Sequence, residues 1–290
     1  MRALDEDERA PRVIVLENVC GLLTANGGQD FATIAGAFSG RGYRFGAVVI
    51  DAVRFVPQSR PRVFIIGVRG DVKPGPSLVS PEPSPIWHPK ALRAAHGLLS
   101  KAAASRWLWW NLPVPPRREK NLADIIEDAP TGVRWHSPAE TKYLLSLMDS
   151  VNKEKVEAAK RLNKLMIGAV YKRMRPDDKG GRVQRAEARF DNVAGCLRTP
   201  NGGSSRQTLL VINGRKVRSR LLSPREAARL MGLPDDFPLP ARYNDAYHLA
   251  GDGVAPPVVG YLARNIIEPL IHASSKQDLS LHSGRQINEA

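Results

Sequence analysis

Val13-Ile14-Val15-Leu16-Glu17-Asn18-Val19 is an apolar run that ends on a carboxylate. Four apolar residues in a row, most of them β-branched, read as a strand, and the lack of polar alternation predicts burial on both faces, as in a parallel sheet. In open α/β sheets the ligand crevice lies outside the carboxyl ends of the strands. Glu17 is expected at such an end, where a carboxyl group is partly withdrawn from water. Working outward, Phe31, Ile34, Ala35 and Phe38 fall three and four apart and predict a helix over Asp30 to Phe38, stopped by Gly40 and Gly42. Two further strands are expected at Ala47-Val48-Val49-Ile50 and Val63-Phe64-Ile65-Ile66-Gly67-Val68. The loop before the last of them is Gln58-Ser59-Arg60-Pro61-Arg62.

The 290 residues suffice for a full core and two lobes. Lys and Arg number 43 against 29 Asp and Glu, a net charge of +14, which points to a polyanionic partner, nucleic acid first. No run of about eighteen apolar residues could span a bilayer, and MRALDEDERAPR lacks the apolar core of a signal peptide. No membrane association is therefore expected, and the expected location is the cytoplasm. Cys20 and Cys196 have no metal-ligand spacing and imply neither a metal site nor a disulfide framework.

Beyond the third strand, residues 73–89 are proline-rich and predict an extended linker and a lobe boundary. Trp107, Trp109 and Trp110 are expected in core packing. Ser137-Pro138-Ala139-Glu140 is a capping box with proline at the first helical position, opening a helix that runs, broken near Ser150, to about Lys164. From Tyr171 to Arg220, thirteen basic residues face four acidic ones. This stretch reads as loop-rich, suited to phosphate contacts with a few base-edge readers. Ser223-Pro224-Arg225-Glu226 is a second capping box, closed by Gly232 and Pro234. Gly251 to Pro257 predicts a turn into a helix ending near Ile271, with Val258, Val259, Leu262, Ile266 and Ile267 on its buried face.

Four of these segments form an ordered set. Glu17-Asn18-Val19, Gln58-x-Arg60-x-Arg62, Arg220-Leu221-Leu222-Ser223-x-Arg225-Glu226 and Gly251-Asp252-Gly253-Val254 with Pro256-Pro257 resemble the later motifs of DNA cytosine-5 methyltransferases, in that family's order. The resemblance implies an α/β fold: the second half of a Rossmann-like, S-adenosylmethionine-dependent methyltransferase sheet plus a smaller irregular target-recognition lobe. Residues 1–72 would be the catalytic part, 90–220 the recognition region, 221–273 the late motifs with a helix returning to the catalytic lobe, and 274–290 a disordered tail. It implies double-stranded DNA as partner, with contacts expected from Arg182, Arg185, Arg189, Arg198 and Arg206. By the same resemblance Glu17 hydrogen-bonds N3 and the exocyclic amine of a flipped cytosine, Arg62 faces its O2, Arg60 orders the pocket, and Gln58 is structural. Asp252, Gly253 and Val254 would lie against S-adenosylmethionine, although Asp252 stands where the family commonly has Asn.

The family's nucleophile belongs to a Pro-Cys pair, and this sequence contains none. Cys20 follows Val19 and Cys196 follows Gly195, and each is expected to be a small buried residue. Phe38-Ser39-Gly40-Arg41-Gly42 imitates the family's cofactor loop but ends a helix after the glutamate motif. Two readings of different class follow: one part of a split methyltransferase, completed by a separate N-terminal chain carrying the cysteine, or a non-catalytic DNA-binding remnant.

Overall fold

The computed structural model describes residues 10–177, 180–198 and 206–272. They divide into two compact units, the first from within 1–51, 61–114 and 258–290, the second from within 52–60 and 115–257. The chain is mixed α/β.

In the first unit the three apolar runs form one sheet. Its strands β1 (Val13–Val19), β2 (Tyr43–Asp51) and β3 (Pro61–Arg69) lie in the order β1-β3-β2. Both pairings are antiparallel, which corrects the parallel expectation. Residues 52–60 are too short a link for the crossover that a parallel pair would need. Central β3 is the strand buried on both faces, whereas among the described residues β1 pairs with β3 alone, with Val15, Leu16 and Val19 left 37%, 40% and 52% exposed. Strand β1 also runs two residues past Glu17, so the carboxylate lies within the strand, opposite Phe64.

Helix α1 (Gln29–Ser39) buries Phe31, Ala35 and Phe38 against Phe45, Val63 and Ile65. A side chain at position 67 would meet the Phe38 ring at 2.2 Å, so Gly67 is what lets the helix approach β3. The short strands β4 (Val79–Ser80) and β5 (Trp109–Trp110) pair antiparallel, with α2 (Lys90–Gly97) and α3 (Lys101–Ala104) between them in sequence. The tryptophans are packing residues, as expected. Trp110 is buried and donates Nε1–H to the Ile66 carbonyl at 3.2 Å, and Trp107 meets Phe45 edge-on at 5.4 Å between ring centres. The proline-rich segment lies inside this unit: Trp87 and His88 are buried, and the Trp87 carbonyl accepts from Val49 N–H at 2.8 Å. The division between units falls after Val114 instead.

The second unit is built on a four-stranded antiparallel sheet. Its strands β6 (Leu165–Pro176), β7 (Arg182–Arg189), β8 (Thr208–Asn213) and β9 (Lys216–Leu221) lie in the order β7-β6-β8-β9. The expected loop-rich basic stretch is thus mostly strand. One face packs Val170, Ala186, Ala188, Leu210 and Ile212 onto Leu144, Met148, Val156 and Ala159 of two helices and the turn joining them. These are α4 (Pro138–Ser146), opened by the expected capping box at Ser137, and α5 (Ser150–Arg161), capped by the Asp149 side chain. Helix α6 (Pro224–Met231) also opens on its capping box and ends on Gly232, whose φ of 81° is the left-handed conformation of a C-terminal cap. Helix α7 (Tyr243–Asp252) was not foreseen: Gly251 and Asp252 close it, and the turn begins only at Gly253. Helix α8 (Pro256–Leu262), which from Val258 onward belongs to the first unit, widens into a π-turn at Ala263–Ile267. Val258, Leu262 and Ile266 are buried, but Val259 is exposed, contrary to expectation.

Candidate functional site

Strand register builds the candidate site of the first unit. Arg62 stands opposite Val19 on one side and Ile50 on the other, so it shares a face with Glu17, two residues before Val19. Its Nε lies 2.8 Å from Glu17 Oε1, with the side chains 15% and 27% exposed. Arg62 also donates Nη1–H to the Pro61 carbonyl at 2.9 Å. Cys20 and Asp51 are at the same end of the sheet. Burial pushes the Cys20 thiol up, Arg62 opposes this, and Asp51 and Glu17 reinforce it. A raised thiol is the reverse of what a nucleophilic cysteine requires. The half-open pair therefore presents a planar acceptor beside a donor fork.

In the second unit Gln58 and Arg60 act as clips. Gln58 is fully buried, donates Nε2–H to the Leu230 carbonyl at 2.8 Å, and accepts from Leu197 N–H at 3.0 Å. Arg60 donates Nη2–H to the carbonyls of Gly251 and Gly253, both at 2.8 Å, and Nη1–H to the Leu197 carbonyl at 3.0 Å. It thereby ties the last residues of α7 to the start of the turn at Gly253. Asp252 is exposed, and Gly253 and Val254 are half-buried. Cys196 is half-buried, its Sγ 3.4 Å from Arg60 Nη1.

The five arginines expected at DNA do not share one environment. Arg182 and Arg185, three apart on β7, point to opposite faces. Arg189 is tied to Asp191, with Nε 2.7 Å from Oδ1. Arg206 lies over the Tyr243 ring, 5.3 Å from its centre, and bonds Asn244. Arg198 is exposed beside the undescribed 199–205. Sequence reading missed Arg173 and Arg175 on β6, and Arg218, whose guanidinium sits 3.6 Å from the centre of the Trp135 ring. It also missed a groove of about 710 Å³ lined by His136, Tyr143, Lys172, Arg206 and Thr208. No motif joins these residues, because only the sheet brings them together. Burial pushes His136 down, and its Nδ1 lies 2.8 Å from Ser219 Oγ. Among the described residues no His, Cys, Asp and Glu cluster could hold a metal ion, and no helix is long and apolar enough to cross a membrane.

Residues 2–268 match the model of the C-5 cytosine-specific DNA methylase family. The orphan methyltransferase M.SPBetaI of Bacillus phage SPbeta is 27% identical over 231 residues, covering 79% of this chain and 49% of the relative. The type II methyltransferase M1.ScrFI of Lactococcus lactis subsp. cremoris is 23% identical over 266 residues, covering 91% and 53%. Among solved structures, the Entamoeba histolytica methyltransferase EhMeth aligns with 91% of this chain and 63% of its own, at 11% identity and a TM-score of 0.48. The chain spans about half the length of the curated relatives it matches. With the family model matched from residue 2 to residue 268, the chain belongs to the C-5 cytosine-specific DNA methylase family.

Proposed function

We propose that this chain carries the base-activating half of DNA cytosine-5 methylation, in which a methyl group passes from S-adenosylmethionine to carbon 5 of a cytosine flipped out of the duplex. The observation that carries the reading is the half-open Glu17–Arg62 pair. Attack on carbon 6 pushes electrons toward N3 and O2, so the ring needs a proton at N3 and positive charge at O2. Glu17 reads the Watson–Crick edge through N3 and the exocyclic amine, and Arg62 stabilises the charge developing at O2. Departure of the C5 proton and of the C6 nucleophile then restores the aromatic ring.

The thiolate and the Phe-x-Gly-x-Gly loop that this chemistry needs are supplied by segments other than these 290 residues. Cys20, its thiol raised by burial, is not a substitute.

When bound, S-adenosylmethionine supplies an electrophilic methyl on a cationic sulfur. The residues present fit one edge of it. Asp252 is an exposed carboxylate at the C-terminus of α7, a charge of the sign that attracts a cationic sulfur. Gly253 and Val254 complete the turn, and Arg60 holds it in place. Double-stranded DNA is the substrate, attracted by the basic second unit in a salt-dependent manner.

The test combines this chain with a fragment of a relative carrying both missing motifs, and follows labelled methyl from S-adenosylmethionine into duplex DNA. Methylation is expected from the pair, but neither from this chain alone nor from a pair whose Pro-Cys cysteine is replaced by Ser. Methylation by this chain alone would overturn the assignment of the nucleophile. Duplex binding without methylation in any combination would favour a non-catalytic DNA-binding protein.

A further inference from the structure

A cleft of about 800 Å³ lies within the second unit, between residues 54–57, residues 116–120 and the end of α6. The methyl transfer proposed above makes no use of it. Its floor is apolar: Val56, Pro57 and Ile125 are buried, and Phe55, Leu233 and Pro257 are half-buried. The floor is also closely packed. A side chain at position 232 would meet Pro257 at 2.5 Å and Val56 at 3.1 Å, so Gly232 is what lets these three segments meet.

The charges around this floor do not balance. Arg229 is matched by Asp235, with Nε 2.7 Å from Oδ1 and Nη2 2.9 Å from Oδ2. Asp124 is occupied by the Asn121 N–H at 2.7 Å. Arg118 donates Nε–H to the Val53 carbonyl at 3.0 Å and Nη1–H to Asn121 Oδ1 at 3.4 Å. These neutral acceptors orient its guanidinium without cancelling its charge. The side chains of Arg117 and Lys120 are exposed and make no hydrogen bond or ion pair among the described residues. Arg54 adds a further cation, and exposed Glu119 is the one acid of the lining that no described residue engages.

The backbone is open as well. Residues 115–120 form neither helix nor strand, and the N–H groups of residues 117–120 donate to no acceptor among the described residues. An extended peptide pairs with such an edge, its main-chain bonds giving affinity and side-chain pockets giving specificity. A polypeptide therefore suits the cleft better than other anions. A phosphodiester backbone has no side chain for an apolar floor, and a simple anion leaves that floor empty.

We propose that this cleft docks an extended acidic segment of a protein partner, with a large apolar side chain against Phe55, Ile125 and Leu233 and carboxylates on Arg117, Arg118 and Lys120. The inference does not rest on the DNA reading above.

The test selects short random peptides from a display library on the full chain, then measures the affinity of a selected peptide across a salt series. Selected peptides should combine several Asp or Glu residues with a large apolar one, and their binding should weaken as salt rises. Arg117→Glu with Lys120→Glu should weaken it by roughly tenfold or more. Lys142→Glu with Lys153→Glu, on α4 and α5, changes the net charge equally and should leave binding nearly unchanged. All four side chains are exposed, so neither double variant disturbs packing. A library that yields no peptide, or only peptides without acidic residues, would overturn the inference. Equal weakening by both double variants would do the same, since net charge alone would then explain the binding. Displacement of the peptide by inorganic phosphate would make the cleft a simple anion site, and displacement by a short duplex a nucleic-acid surface. Either result would also overturn it.

Discussion

Each unit contains an arginine–glutamate pair, and the two are built in opposite ways. In the second unit Arg220 and Glu226 are both 0% exposed and doubly bonded, at 2.7 and 2.6 Å. Most of their remaining capacity is taken up locally: Arg220 also donates to the Leu221 and Glu127 carbonyls, leaving only its Nε without a hydrogen-bond partner, and Glu226 accepts from the N–H groups of Glu127 and Ser223. In the first unit Glu17 and Arg62 share a contact of 2.8 Å and remain partly open to water. A buried pair with its partners in place can only hold structure, because losing either member strands a charge. A half-open pair contributes little to stability and keeps acceptor and donor edges for a ligand. The same two residue types thus serve as a tie in one unit and leave edges open to a ligand in the other.

The largest consequence is in stability. Arg220→Ala should destabilise the second unit by about 3–5 kcal/mol, whereas Glu17→Gln should cost less than about 1 kcal/mol, both read by urea unfolding. Comparable losses from the two would erase the distinction between them.

Acid should act on the first unit next. His88 is fully buried, its Nδ1 accepts from Ser84 N–H at 2.8 Å, and burial pushes it down to about 4. The folded form therefore favours the neutral ring. Its contribution is complete above the unfolded value of about 6.5 and is lost as pH falls toward 4. The loss approaches roughly 3 kcal/mol at about 1.4 kcal/mol per pKa unit. His88→Asn, which keeps an acceptor for Ser84, should flatten this part of the melting-temperature profile. An unchanged profile would remove His88 as the cause.

A smaller effect belongs to the helix that carries Glu140. Ser137 caps α4 and is answered by the Glu140 side chain, so Ser137→Ala should cost the second unit about 1 kcal/mol. A loss as large as that at Arg220 would mean that the buried tie is not the dominant polar anchor there.

Much of this was legible in the sequence where a local rule suffices. Both capping boxes, helix α1, and strands β2 and β3 follow from spacing and composition, and so does the packing role of the tryptophans. Strand direction was not, since it depends on which neighbour each strand finds; β1 reads as apolar on both faces yet among the described residues pairs with β3 alone. The sheet of the second unit was hidden because sequences such as Arg182-Val183-Gln184-Arg185-Ala186-Glu187-Ala188-Arg189 alternate small buried residues with exposed charges, which resembles a polar loop. Helix α7 was missed because it buries Ala246, Tyr247 and Ala250 rather than branched aliphatics. Glu17 and Arg62 were each visible as motif residues. Their contact was not, because it arises from the β1–β3 register.

Glu17→Gln in the complemented enzyme tests the central assignment most directly, with single-turnover methyl transfer measured beside duplex affinity. If Glu17 supplies the proton at N3, transfer should slow by about a hundredfold or more, while duplex affinity and unfolding free energy stay near those of the unaltered protein. Methyl transfer at the unaltered rate would contradict the account and return the Glu17–Arg62 pair to an ordinary surface contact.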